Sequence, residues 1–209
     1  MSQELQSWLA RCPLVAILRG LRPDEAEKVG EALTDAGFVI IEVPLNSPAA
    51  FDSIGRLSAG LGAKALIGAG TVLDPADVSR VKDTGGRVIV MPHGDPTVIK
   101  AAKAAGMLCV AGVATPTEAF AALAAGADAL KLFPAETLPP AAVKAWRAVL
   151  PKSVPLLMVG GITPEKIPGY LAAGATGFGT GGQLFQPGCE IAALRKQAAR
   201  YVAALRQSS

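Results

Sequence analysis

Leu123-Ala124-Ala125-Gly126-Ala127-Asp128-Ala129-Leu130-Lys131-Leu132-Phe133-Pro134 joins a helix end, a strand and a charge in an apolar setting. Alanine and leucine favour helix, and glycine tolerates the positive φ found just past a helix C-terminus, so Ala125-Gly126 reads as a stop. The apolar run 127–133 reads as a strand. Alternation along it puts Ala129, Lys131 and Phe133 on one face and Leu130 and Leu132 on the other, so the lysine shares an enclosed, mostly apolar face. Desolvation disfavours an ammonium there and lowers its pKa, leaving an amine able to attack a carbonyl and form a Schiff base. A snorkelling or ion-paired lysine is the plainer alternative.

The same phrase recurs along the chain. Asp35-Ala36-Gly37 precedes an apolar run at 38–43, Gly85-Gly86 one at 87–91, Ala105-Gly106 one at 107–111, and Ala173-Gly174 one at 175–179. With runs at 14–18, 65–68 and 155–159, eight strands are expected. Each is followed by a plausible helix: 22–36, 48–60, 75–84, 95–105, 116–125, 139–150, 164–173 and 188–206. At 209 residues this leaves roughly 26 per βα unit, near the compact limit of a (β/α)8 TIM barrel. A doubly wound open sheet is the runner-up, but no G-x-G-x-x-G follows the first strand and the eightfold count leaves no spare elements. Residues 2–10 read as a short N-terminal helix capping the barrel bottom. No Ser/Gly-rich linker or run of like charge divides the chain, so 1–209 reads as one domain.

Composition narrows the function classes. A net charge of +3 is too small and too scattered for nucleic-acid binding, yet suits an anionic small substrate. Cys12, Cys109 and Cys189 form no CxxC pattern, and His93 is the single histidine. Neither a disulfide framework nor a metal site is therefore expected, and Cys109 reads as buried and inert. No signal-like or membrane-length apolar segment is read, so the expectation is a cytoplasmic protein without membrane partners.

In a closed parallel barrel, active-site groups gather where strands end and βα loops begin. Arg19 ends the first strand, Glu42 the second and Pro92 the fourth; Thr71 lies just past the third, and Gly160-Gly161 ends the seventh. Alternation groups Val15, Ile17 and Arg19 on one face, Ile40, Glu42 and Pro44 on another, and Ile67, Ala69 and Thr71 on a third. Arg19, Glu42 and Thr71 are thus expected to converge with Lys131. Each has a plainer reading: Arg19 as a surface residue, Thr71 as a helix cap in competition with Asp74, Glu42 as a structural counter-ion of Lys131. Gly160-Gly161, before one helix, and Gly177-Phe178-Gly179-Thr180-Gly181-Gly182, after strand eight, offer backbone N–H groups to one anion, or merely permit tight turns.

Ile17-Leu18-Arg19-Gly20, Ile41-Glu42-Val43-Pro44-Leu45-Asn46-Ser47-Pro48, Gly68-Ala69-Gly70-Thr71-Val72, Ala129-Leu130-Lys131-Leu132-Phe133-Pro134 and Val159-Gly160-Gly161 resemble the KDPG/KHG aldolase family from about residue 13 onward. Asn46 in place of an arginine after the glutamate, and Val159 in place of a threonine, resemble its branch acting on 2-dehydro-3-deoxy-6-phosphogalactonate. The resemblance implies a Schiff-base lyase of galactonate catabolism, releasing pyruvate and glyceraldehyde 3-phosphate, working as a homotrimer. It makes Lys131 and Glu42 catalytic, and places Arg19, Thr71, Pro92, Phe133 and Val159 against substrate and Gly160, Gly161, Gly181 and Gly182 against phosphate. The iminium is the electron sink, so no cofactor is implied. Gly182 stands where the family commonly has serine, which removes one hydroxyl from the phosphate site, at about 0.5–1.5 kcal/mol, and makes a less phosphate-dependent preference conceivable. The gluconate epimer or 4-hydroxy-2-oxoglutarate as substrate, a phosphosugar isomerase or epimerase, and a non-catalytic binding barrel are the alternatives.

Overall fold

A computed structural model describes residues 2–206; the ends of the 1–209 domain expectation lie outside the described residues. Eight parallel strands, β1 (Leu14–Ile17), β2 (Ile40–Pro44), β3 (Leu66–Gly70), β4 (Val88–Val90), β5 (Leu108–Val113), β6 (Ala129–Leu132), β7 (Leu156–Val159) and β8 (Gly177–Thr180), form a closed barrel in sequence order. Pairing of Val15 with Gly179 joins β1 to β8. The helices are α1 (Gln3–Arg11), α2 (Ala26–Ala36), α3 (Ala50–Leu61), α4 (Pro75–Asp83), α5 (Pro96–Ala104), α6 (Pro116–Ala125), α7 (Pro140–Arg147), α8 (Ile167–Ala172) and α9 (Ile191–Arg206).

Local sequence explains where the helices start and stop. Asp74, Asp95 and Thr115 each accept a backbone N–H at an N-terminus, and a proline follows each at the first helical position, where its missing N–H costs nothing. Asp74 takes the capping role for which Thr71 was a competitor. Gly37 and Gly126, at φ 107° and 106°, end α2 and α6 as expected. The expected helix 164–173 is a 3-10 turn, Pro164–Lys166, running into α8; Pro168 supplies no N–H for a continuous ladder. A second 3-10 turn, Ala135–Thr137, was not anticipated.

Two apolar clusters separate inside from outside. Val15, Ile40, Leu66, Val88, Val90, Leu108, Val110, Ala129 and Leu157 fill the barrel, and Leu5, Trp8 and Leu9 of α1 close it from below. The shell between strands and helices contains Leu14, Ile41, Ile67, Ile89, Cys109, Leu130, Leu132 and Met158. Alternation thus holds for β6, with Leu130 and Leu132 outside and Ala129 inside. It fails for β3. Ile67 and Ala69 belong to the outer shell, while Gly68 and Gly70 face inward. A Cβ on Gly70 would overlap the Glu42 carboxylate, and one on Gly68 the Val88 carbonyl. The interior is narrow enough at this layer that β3 contributes backbone alone.

A pair of glycine substitutions tests this. Gly68→Ala should lower the thermal midpoint, since relieving the overlap costs about 1–3 kcal/mol or more. Gly60→Ala, in α3 with nothing within 4 Å of the added carbon, should raise stability by roughly 0.5–1 kcal/mol. Calorimetry on both variants gives the comparison.

Candidate active site

Above the apolar plug the strand interiors turn polar. Ile17 on β1 registers with Glu42 on β2, and Gly112 on β5 with Lys131 on β6. Glu42 and Lys131 project into one interior cavity, walled otherwise by apolar side chains such as Val15, Ile40, Val90, Val110 and Leu157. Glu42 is 1 % exposed and Lys131 6 %. They do not form a contact ion pair within 4.0 Å, and Glu42 Oε2 has no hydrogen-bond partner among the described residues. A structural counter-ion would sit against its partner, because a buried carboxylate left open costs the desolvation that a close contact would recover.

Burial dominates both ionisations. It pushes the Glu42 carboxyl from 4.5 up to about 7, against the attraction of Lys131 and, less strongly, Arg19. It lowers the Lys131 amine, an effect that Glu42 opposes and Arg19 reinforces. The cavity therefore favours a proton on the acid and a free electron pair on the amine. The Phe133 ring, with its centroid 5.0 Å from Lys131 Nζ, partly offsets this by favouring the ammonium.

Lys131 also reaches the mouth above, which encloses about 640 Å³ open to solvent. Arg19, Thr71, Pro92, Phe133 and Val159 line it, and so do Gly160, Gly161, Gly181 and Gly182. Every residue that the resemblance places against substrate or phosphate thus meets Lys131 in one basin, and Glu42 meets it from below. Thr71 arrives by an unforeseen route: its strand parity points it outward, and a left-handed backbone, φ 54°, turns it into the mouth. For a β-branched residue this conformation costs about 1–3 kcal/mol and is found where function demands it.

The glycine loops present donors. Gly161, Ile162, Gly181, Gly182 and Gln183 donate their N–H groups to no acceptor among the described residues, and loops from neighbouring strands bring them to one side of the mouth. Gly160 and Gly161 have φ of 110° and 57°, and Lys166 Nζ donates to the Gly161 carbonyl at 2.7 Å. A Cβ on Gly182 would meet nothing within 4 Å, so packing does not demand its missing side chain.

Several participants escaped the sequence reading. Ile162 and Gln183 also line the mouth, beside Ile17 and Gly179, which alternation with Arg19 and the glycine run had marked. Glu136, in the unanticipated 3-10 turn, lays its carboxylate beside Gly161, where an added Cβ would come within 2.6 Å of Oε1. Asn46 Oδ1 accepts from Arg19 Nη1 at 2.5 Å, and Thr71 Oγ1 from Nη2 at 3.4 Å. Cys109 is buried and its thiol is pushed up to about 12, first by burial and then by Asp128. His93 lies in the loop after β4, nearly half exposed.

The arrangement is that of a barrel enzyme with an amine and an acid able to act together on a carbonyl compound. Comparisons with known proteins agree. A family model described as KDPG and KHG aldolase matches residues 5–199. A probable 2-dehydro-3-deoxy-6-phosphogalactonate aldolase of Rhizobium meliloti is 48 % identical, covering 92 % of this chain and 91 % of its own. The 2-dehydro-3-deoxy-6-phosphogalactonate aldolase of Escherichia coli is 45 % identical, covering 96 % and 98 %. A solved structure titled "Native KDPGal structure" superposes with a TM-score of 0.93 at 45 % identity, covering 95 % and 96 %. The chain belongs to the KDPG/KHG aldolase family. It is an aldolase, a lyase acting on carbon–carbon bonds.

The raised Glu42 pKa carries a stability signature. Below pH 4.5 the folded and unfolded chains both hold this proton; between 4.5 and about 7 the unfolded chain releases it and the folded one retains it, so stability falls as pH rises. Glu42→Gln removes this loss. At pH 8 the variant should be more stable than the parent by about 3 kcal/mol, with the gap closing towards pH 4.5, as read by urea denaturation across pH.

Proposed function

We propose that this chain cleaves 2-dehydro-3-deoxy-6-phosphogalactonate reversibly to pyruvate and D-glyceraldehyde 3-phosphate, with Lys131 as Schiff-base nucleophile and Glu42 as acid/base. The observation that carries this reading is the buried, uncontacted Glu42–Lys131 pair within a basin that opens to solvent. The branch is supported by the names of the relatives at 45–48 % identity and by Asn46 and Val159 at the two positions where the gluconate-type pattern differs.

In this mechanism the free amine of Lys131 attacks the C2 carbonyl. Loss of water gives an iminium, and a carboxyl with a raised pKa is suited to donating the proton that this dehydration needs. Glu42, directly or through a water, then takes the C4 hydroxyl proton. The C3–C4 bond breaks, its electron pair passes into the iminium to give an enamine, and the aldehyde leaves. Glu42 returns its proton to C3, and hydrolysis releases pyruvate and restores the amine. A pKa of about 7 lets one carboxyl serve as base and acid within a turnover. The iminium carries the electron-sink role, so the mechanism calls on no metal or organic cofactor.

Arg19 and Thr71 contact the substrate in this reading, with Pro92, Phe133 and Val159 as the walls that shape it. The N–H groups of Gly161 and Gly182 bind the phosphate beside Gly160 and Gly181, and helix N-termini behind such loops favour the anion. The whole 1–209 chain is taken as one catalytic domain, working as a cytoplasmic homotrimer. Among the described residues no helix is long and apolar enough to cross a membrane, and light scattering checks the trimer.

Two assays test the assignment. Borohydride added with pyruvate should inactivate the enzyme irreversibly and add mass at Lys131; an isomerase using Glu42 alone would show neither. In a coupled pyruvate-release assay the galactonate phosphate should exceed its gluconate epimer in kcat/KM by about tenfold or more, equivalent to about 1.4 kcal/mol of transition-state discrimination. Equal rates would remove the branch assignment, and unphosphorylated acids in the same assay measure the weight of the Gly182 departure.

A further inference from the structure

The loop after β2 stands behind the mouth, outside its lining, and grips the loop after β1 at consecutive residues. Asn46 Oδ1 accepts from Arg19 Nη1 at 2.5 Å, and the buried Ser47 Oγ accepts from the Gly20 N–H at 2.9 Å. Arg19 needs the support. Its side chain is exposed, its other side-chain contact is the long one to Thr71 Oγ1 at 3.4 Å, and no carboxylate among the described residues lies within 4.0 Å of it. A free arginine of this kind samples many rotamers, and about 2 kcal/mol of rotamer entropy is at stake when it is fixed.

An amide suits this task better than an acid. The guanidinium has five N–H donors; one held by Asn46 leaves others directed at the basin. A carboxylate would hold it at least as firmly but would cancel the charge that makes it useful to an anionic substrate. A lysine or leucine at 46 would offer no acceptor.

We infer that Asn46 is a positioning residue, which fixes the Arg19 guanidinium over the mouth while leaving its charge available to an anionic group of the substrate. The inference rests on the reading of Arg19 as a substrate contact. Asn46 then sets substrate affinity through Arg19 and leaves the amine–acid chemistry beneath it untouched.

Steady-state pyruvate release by Asn46→Leu, Asn46→Asp and Asn46→Gln, alone and with Arg19→Met, provides the test. Asn46→Leu should raise KM roughly five- to tenfold with kcat within about twofold, a value discounted for solvent exposure. Asn46→Asp should raise KM at least as far, through charge cancellation, and Asn46→Gln should recover part of the loss. In the Arg19→Met background Asn46→Leu should change KM by less than about twofold, since its target is gone. An unchanged KM in Asn46→Asp, a penalty of equal size in both backgrounds, or a fall in kcat at constant KM would each overturn the inference. If Asn46→Leu fails to fold, the near-isosteric Asn46→Asp decides alone. Failure of the aldolase reading itself looks different: the parent enzyme would neither release pyruvate nor trap it on Lys131.

Discussion

Burial of one carboxyl and one amine inside an apolar cylinder, close enough to feel each other but not in contact, is the constraint on which the rest depends. In water the pair would be carboxylate and ammonium. At 1 % and 6 % exposure both charged forms lose hydration, and the mutual attraction recovers only part of it because no close ion pair forms. Proton positions are therefore finely balanced near neutrality, the condition in which a single group can accept and return a proton within one cycle.

Much of the surrounding architecture follows from keeping that environment dry and narrow. Leu5, Trp8 and Leu9 of α1 close the barrel from below, and Lys131 links the cavity to the mouth above. Gly70 yields its side-chain space to the Glu42 carboxylate, which can lie across β3 because at that level the strand brings backbone alone. Thr71 then needs a left-handed turn to reach the basin. The inward glycines and the strained threonine are two consequences of one spatial requirement.

The sequence carried the architecture well because its signals are local. A glycine stop before an apolar run means the same thing at each of its five occurrences, and adding the apolar runs at 14–18, 65–68 and 155–159 gives eight units without knowledge of how they pack. Lys131 was legible for a related reason: an ammonium in an apolar strand is anomalous wherever it lies. Where the reading failed, the cause was tertiary. Alternation predicts that Thr71 follows Ile67 and Ala69, and the inference to a shared cavity was right for Thr71 but wrong for its two companions, because one φ angle reverses the parity. The contacts of Asn46 with Arg19 and of Glu136 with Gly161 join loops tens of residues apart; the sequence marked Asn46 only through the resemblance, and the polar character of Glu136 alone is unremarkable in a loop. The absence of a contact between Glu42 and Lys131 is likewise a matter of distances, which no residue pattern encodes.

Titration of the Glu42 carboxyl carbon by 13C NMR, in the parent protein and in Lys131→Met, tests the central claim most directly. The account predicts a midpoint near 7 in the parent and a higher one in the variant, where the opposing attraction of the ammonium is gone and burial acts alone. A parent midpoint near the ordinary 4.5, unmoved by loss of the lysine, would contradict it.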